Sequence, residues 1–413
     1  YLIKGAKIYI SGGEQSITEN IVHMVLAKIK GAPAGVKGIS LFIVPKFHVD
    51  ENGNPGERNG VSLAGLIHKL GYRGTTSTAL SFGDDAPCHG YLVGEPHQGL
   101  KYMFQMMNEA RIGVGFGASV IGYRGYMHSL EYAKDRLQGR KASEKNPESP
   151  QVPIIDHADV RRMLLAQKAY SEGGLAMCLY GARLMDDQHT HPDEQKRMEA
   201  GKLLDLLTPV IKAWPSEYGP KANDLAIQVY GGAGYTRDYP VEQCWRDNRL
   251  NPIHEGTNGI QALDLLGRKI WQDQSHGLQL LMQEMQVDLQ AATTDRCQQW
   301  ALSLSETLQQ AVKVTQSLGK SLMGGEVDKT LANASCYLHL FGHIIVAWMW
   351  LRQANAAANA LASANSDSER NFYQGKLQAA QYFFHWELPT VAQDLVLLRN
   401  QDDTCLNMKA DWF

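Results

Sequence analysis

Glu255 stands in the stretch IHEGTNGIQ, residues 253–261, ahead of Gly256 and Thr257 and just before an apolar helical run. A carboxylate at such a loop-to-helix junction can act as a general base at the mouth of a cavity. The same pattern also suits a plain helix start, with Thr257 or Asn258 as cap and Glu255 favoured by the helix dipole. A second group is QVYGGAGYTRDYPVEQCWRD, residues 228–247. There Gly231, Gly232 and Gly234 allow positive φ or close approach of backbone to a ligand, although turn punctuation alone accounts for them. Gln228 and Arg246 flank the glycines and are compatible with an anion or cofactor contact. The third group is YAKDRLQGRK, residues 132–141, with Arg136, Arg140 and Lys141 near a helix end. Cations there complement the helix C-terminus, or their planar donors clamp a pyrophosphate. The segment DDQHTHPDE, residues 186–194, is dense in His and Asp. It reads as a solvated, capping loop, because no spaced ligands from a second element accompany it.

These groups must be positioned by elements of two kinds. Residues 1–93 read as β: YLIKGAKIYIS alternates, IVHMVLAKI and GISLFIVP are apolar and β-branched, and TSTALSF and GYLVG follow. Turn clusters such as ENGNPGERNG separate them, which predicts a small barrel or sandwich. Residues 98–138 carry a helical period with no proline and a run of small residues, Gly113, Gly115, Gly117, Ala118, Gly122 and Gly125, that permits close helix packing. That run is not a dinucleotide fingerprint, since the spacing fails and no strand precedes it. Residues 139–151 are a polar loop. Helical patterns resume at 156–186, 194–214 and 216–230, and again from 257. Residues 276–413 are helical and rich in Gln and Ala. The expected fold is α+β, mostly α: a small β-barrel or sandwich domain (1–93), a four-helix-bundle domain (94–275) and an additional helical C-terminal domain (276–413).

The chain has 413 residues, 43 acidic and 40 basic, and a formal charge of −3. That is an ordinary soluble globular balance. No basic field is present to attract nucleic acid. Six scattered cysteines with no CxxC pair point to buried thiols in a reducing compartment. The most apolar run, 337–351, is interrupted by His339, Gly342 and His343. It is shorter than the roughly 20 residues a bilayer needs, so a core helix is expected and no transmembrane segment. The opening at Tyr1 reads as structured sequence, so the chain is expected to begin mid-protein.

Taken in order, these signals resemble the acyl-CoA dehydrogenase family over residues 1–270. IYISGGE, KLGYRGTTSTALSF, MNEARIGVG, RDYPVEQCWRD and NPIHEGTNGIQ carry the resemblance, the last two most specifically. The resemblance implies FAD as cofactor and α,β-dehydrogenation of an acyl-CoA, with Glu255 as the base for the α-proton and Gly256 beside the thioester. It implies Thr257 and Gly259 beside the FAD, Tyr9 against the isoalloxazine and Ser11 near its reactive nitrogen. Arg136, Gln138, Gln228, Gly231 and Gly232 would hold the pyrophosphate and adenosine of a neighbouring subunit's FAD. Asn108 and Arg111 would border the acyl-CoA. No metal is implied. Electron-transfer flavoprotein as acceptor, a homodimer or homotetramer, a role in fatty-acid β-oxidation and a bacterial cytoplasmic location follow from the same resemblance. So does an N-terminal helical domain lying outside this chain. The loop at 141–151 and the extra helical domain resemble a long bacterial subgroup of the family. Alternatives of other kinds are a non-catalytic oligomerisation fragment that lacks flavin, and an acyl-CoA oxidase.

Overall fold

The computed structural model describes residues 1–413, the side chain of Gln105 excepted. The chain divides into two compact units, Tyr1–Glu109 and Ala110–Phe413.

The first unit is mostly strand: β1 (Gly5–Ser11), β2 (Val22–Lys28), β3 (Ile39–Pro45), β4 (Phe47–Val49), β5 (Pro55–Arg58), β6 (Val61–Leu66), β7 (Ser77–Phe82) and β8 (Tyr91–Leu92). They form two three-stranded antiparallel sheets, ordered β1-β7-β6 and β2-β3-β8, and a β4-β5 pair. No closed barrel forms among the described residues, so sandwich, not barrel, is the better word. Side chains alternate faces along a strand. Val25, Phe42 and Val44 from one sheet and Val61, Leu80 and Phe82 from the other therefore turn inward and share one core with Ile3 and Cys88. Two sequence expectations need adjustment. The cluster at 51–60, expected as turn alone, holds the short strand β5, which pairs with β4. Strand β1, expected to alternate throughout, breaks register against β7 between Lys7 and Ile10. Tyr9 lies in that irregularity with φ +62°.

The second unit is helical. Helix α1 (Gly99–Asp135) runs across the division between the units. It is followed by α2 (Ala158–Thr190), α3 (Glu194–Tyr230), α4 (Val241–Asn248), α5 (Asn258–Gly267), α6 (His276–Gln290), α7 (Asp295–Met323), α8 (Val327–Leu331), α9 (Ala334–Leu361), α10 (Asp367–Tyr382), α11 (Ala392–Asn400) and α12 (Thr404–Asn407).

The predicted break between 214 and 216 does not occur. Helix α3 continues through Pro209, Pro215 and Pro220. An interior proline removes one backbone donor and costs about 3 kcal/mol in isolation. Tertiary packing overrides that cost, because Leu203 to Pro220 is almost entirely buried. Pro215 leaves the Ile211 carbonyl without its helical donor. Gly115 of α1 packs directly on that carbonyl, where a methyl group would come within 2.0 Å of the oxygen.

Helix α9 is long and apolar enough to cross a membrane by length and composition. It is packed against α2, α5, α7 and α10. Tyr337, Ile345, Trp348 and Trp350 on different sides of it are all 0–1% exposed. A helix apolar all round is buried all round, which supports the core-helix reading. Its indoles are satisfied: Trp348 Nε1 donates to Asp288 Oδ2 at 2.6 Å and Trp350 Nε1 to the Ala169 carbonyl at 3.1 Å. One apolar core includes Ile112, Met177, Trp214 and Leu265 together with Trp300, Trp348 and Leu398.

Candidate functional site

Residues 250–257 form a run of turns between α4 and α5. Glu255 lies in it half-buried with φ +55°, and Gly256 follows with φ +84°. A positive φ is natural for glycine but costs a glutamate roughly 1–2 kcal/mol. Such a conformation persists where surrounding bonds over-determine it, which is common at functional sites. The bonds are visible here. The Gln261 amide reaches back from α5 and donates to the Glu255 carbonyl at 3.2 Å and to the Gly256 carbonyl at 3.3 Å. The Asn258 N–H donates to the Pro252 carbonyl at 3.0 Å. Thr257 Oγ1 accepts from the Ile260 N–H at 3.4 Å and caps α5. Thr257 is thus the cap, and Glu255 is displaced two residues upstream with its side chain free of that task.

Beneath the turn lie two buried cations. Arg111 of α1 is 5% exposed and faces Asp264 of α5 at 3.7 Å. Its Nη2 would be 3.8 Å from a methyl group at Gly256, so the guanidinium sits against the turn. Asp264 is also held by Arg268 at 2.7 Å. Lys212 of α3 is fully buried, and its Nζ donates to Asn258 Oδ1 at 3.2 Å. Burial first, and then the nearby Arg111, push the Lys212 ammonium down to about 8, with Glu255 acting in the opposite direction. Four of the residues anticipated from the sequence, Glu255, Gly256, Thr257 and Arg111, are therefore brought together. Gly259 is exposed on the first turn of α5. Lys212, Gln261 and Asp264 are not among the residues anticipated. The one signal for Lys212 is a lone lysine in the otherwise apolar run LLTPVIKAWP, a stretch with no solvent face for it.

A second group collects elsewhere in the same unit. Tyr132 near the end of α1 stacks on Tyr230 at the end of α3, ring centroids 4.1 Å apart. Arg136 lies just past one of these helix ends, and Gln228 lies two residues before the other tyrosine; both are exposed. Gly231 ends α3 with φ +59°. A methyl group at Gly231 or Gly232 would meet nothing within 4 Å, which leaves their backbone open to a ligand. Gln138 is exposed, and its backbone is held by Val152 and His157. Arg140 does not join this group, because its guanidinium donates to the Ser149 and Pro147 carbonyls of its own loop. Arg246 is paired with Glu242 at 2.6 Å. Asp193 accepts from Gln195 N and Lys196 N as the cap of α3, but the His- and Asp-rich segment is loop only at 191–193, because 186–190 form the last turn of α2.

Arg111 and the end of α1 are separated by about 36 Å of helix. One chain therefore presents the Glu255 group and the Arg136 group as two distinct places. The first unit holds the remaining candidates. Tyr9 is 71% exposed on its irregular strand, Ser11 is exposed at the end of β1, and Asn108 is half-buried in α1.

Residues 97–270 match the family model described as acyl-CoA dehydrogenase, C-terminal domain, and residues 281–409 the model described as acetyl-CoA dehydrogenase C-terminal like. The chain is 36% identical over 389 residues to 3-methylmercaptopropionyl-CoA dehydrogenase of Ruegeria pomeroyi, covering 93% of this chain and 64% of that protein. It is 35% identical over 419 residues to the broad-specificity linear acyl-CoA dehydrogenase FadE5 of Mycobacterium tuberculosis, covering 98% and 68%. Among solved structures it is similar to Caenorhabditis elegans ACDH-11 in complex with C11-CoA, with TM-score 0.75, 20% identity, and 96% and 63% of the two chains covered. It is also similar to a Bacillus anthracis acyl-CoA dehydrogenase complexed with FAD, with TM-score 0.74, 20% identity, and 98% and 65% covered. Those structural likenesses speak for the fold. The chain spans about two thirds of the length of these relatives. With relatives above 30% identity matched along nearly its whole length, the chain belongs to the acyl-CoA dehydrogenase family.

Proposed function

We propose that the protein containing this chain removes hydrogen from the α and β carbons of an acyl-CoA thioester, with Glu255 as the base. The observation that carries this reading is the strained Glu255–Gly256 turn, which two carbonyl contacts from Gln261 hold above the buried Arg111 and Lys212. An α-proton of a thioester is only weakly acidic. Its removal needs a carboxylate placed within hydrogen-bond reach and shielded from water. The Glu255 carboxylate accepts that proton at one oxygen. Gly256, without a side chain, leaves room for the thioester beside it. A bound acyl chain would exclude water from Glu255 and raise its basicity.

The chain's residues fit FAD in two places. Thr257 and Gly259 are exposed at the start of α5 next to the proposed base, and Gly231 and Gly232 offer open backbone beside the exposed Arg136 and Gln228. When bound, FAD supplies the acceptor for the β-hydride. The length of α1 between the two places supports assigning Arg136, Gln138, Gln228, Gly231 and Gly232 to the FAD of a second copy, and hence a homodimer or larger assembly. Tyr9, Ser11 and Asn108 are assigned to the flavin and the acyl-CoA on the family resemblance. Electron-transfer flavoprotein as acceptor and a bacterial cytoplasmic location belong to the same proposal, supported by the bacterial acyl-CoA dehydrogenases that the chain matches. We also keep 94–275 and 276–413 as distinct segments. The two family models meet close to that boundary, although the core is shared across it.

The test uses the intact FAD-loaded protein mixed anaerobically with butyryl-CoA. Wild type should bleach the flavin absorbance. Glu255→Gln should stay yellow, with reduction slowed by roughly 1,000-fold or more. Bleaching at an undiminished rate in that variant would remove Glu255 from the role.

A further inference from the structure

We propose that the base is placed from the C-terminal segment: α9 seats α5, and Gln261 of α5, a positioning residue, passes that placement on to the Glu255–Gly256 turn. This rests on the reading of Glu255 given above.

Helix α5 has 10 residues. Helices shorter than about 12–15 residues are marginal on their own, so the position of α5 comes from what it packs on. Its inward face carries Gln261, Ala262, Leu265 and Leu266, all fully buried, while Ile260 and Leu263 are exposed. The helix packs against α3 and α9. Both of its ends also meet residues beyond 275. At the start, Asn258 lines one small cavity with Ser335, Leu338 and His339 of α9. At the end, a methyl group at Gly267 would lie 3.6 Å from the methyl groups of Leu331 in α8. Helix α9 is in turn tied to α3 and α11. The Tyr218 hydroxyl bonds His339 Nε2 at 2.8 Å, and His339 Nδ1 bonds Asp394 Oδ2 at 2.5 Å.

Gln261 is the fully buried polar side chain on the inward face of α5. A buried amide must find partners. Its nitrogen finds them in the Glu255 carbonyl at 3.2 Å and the Gly256 carbonyl at 3.3 Å. Turning the amide over would set its oxygen against two carbonyl oxygens, so its orientation is fixed. Those carbonyls belong to the peptide groups that follow the two positive φ values, +55° at Glu255 and +84° at Gly256. Relaxing either residue would swing a carbonyl away from the amide, so Gln261 opposes the relaxation. A base misplaced by about 1 Å loses much of its rate advantage. Gln261 therefore acts without touching the substrate: it sets where the backbone that carries Glu255 stands. Residues 334–361 enter the reaction through the seat they give α5.

Two measurements decide it. Gln261→Met is close in volume and has no side-chain N–H. In the intact FAD-loaded protein, flavin reduction by saturating butyryl-CoA should slow by roughly 10- to 100-fold per bound flavin. The half-saturating concentration should change by less than about twofold, the mark of a placement lost without loss of binding. A protein that is merely less stable would lose flavin and keep its rate per flavin. Leu338→Ala loosens the seat of α5 and leaves the Gln261 amide intact. It should slow reduction by roughly 3- to 10-fold, and add little to Gln261→Met in the double variant, because both act through the same contacts. A wild-type rate in Gln261→Met would overturn the role of Gln261. A wild-type rate in Leu338→Ala, or effects that multiply in the double variant, would overturn that of α9.

The second measurement is amide hydrogen exchange in the free protein, which does not depend on which residue is the base. Exchange in the segment 253–258 should be faster in both variants, and unchanged exchange would show that neither side chain holds the turn. Faster exchange at an undiminished rate of reduction would reduce Gln261 to a structural residue; the Glu255→Gln bleaching test decides the base separately. Should Gln261→Met fail to fold, Leu338→Ala still gives both readouts.

Discussion

At the scale of single residues, the turn that carries Glu255 is held by bonds to its backbone, and among the described residues no hydrogen bond or ion pair is made by its side chain. Gln261 serves both carbonyls with one amide, and Gly256 is packed so that a methyl group would sit 2.6 Å from that amide nitrogen. Gly256→Ala should therefore act twice. It places a non-glycine residue at φ +84°, costing roughly 1–2 kcal/mol. It also displaces Gln261, loosening Glu255. We expect a lower melting temperature and flavin reduction slowed by roughly 10- to 100-fold, as misplacing a base by about 1 Å would do. A variant that melts lower but reduces flavin at the wild-type rate would show that Gln261 stabilises the turn without setting the base. The helix-cap reading of this segment also holds in part: Thr257 caps α5, and that fixes where the turn ends.

At the scale of elements, α3 is the frame on which the turn is moored, and its path depends on α1. Three prolines inside α3 would be read as breaks in isolation. They are tolerated because the helix is buried along this stretch and because Gly115 covers the carbonyl that Pro215 leaves unpaired. Gly115→Ala would put a methyl group 2.0 Å from that oxygen, which is fixed backbone. The α1 and α3 axes would have to separate. We expect a loss of about 1–3 kcal/mol in chemical denaturation, larger than for Gly113→Ala, where a methyl group meets nothing within 4 Å. Equal effects at the two glycines would refute the packing argument.

At the scale of the second unit, the core does not stop at residue 275. Trp348 and Trp350 of α9 lie against elements of the 110–275 region: Tyr180 is edge-on to Trp348 at 5.1 Å, and Trp350 bonds Ala169. Tyr218 bonds His339, which in turn bonds Asp394. Ending the protein after Ser275 would expose Trp214, Tyr180 and Met177, all now buried. The truncated protein should bind a hydrophobic dye, aggregate and melt well below the intact protein. A monodisperse product with an unchanged melting temperature would show that 276–413 is energetically independent.

Much of this is legible in the order of residues. The period-two strands before residue 93, the long helices after it, the family resemblance and the group Glu255–Gly256–Thr257 all depend on local pattern or short spacing, which a sequence displays directly. The choice of two three-stranded sheets between the barrel and sandwich alternatives, and α3 unbroken through Pro215, depend on partners far away in the chain. So does Lys212: a lone lysine in LLTPVIKAWP shows only that something must compensate a buried charge. That the compensation involves Asn258, 46 residues later, is decided by the packing of α3 against α5. Burial and electrostatic neighbours are properties of the folded interior and not of spacing along the chain.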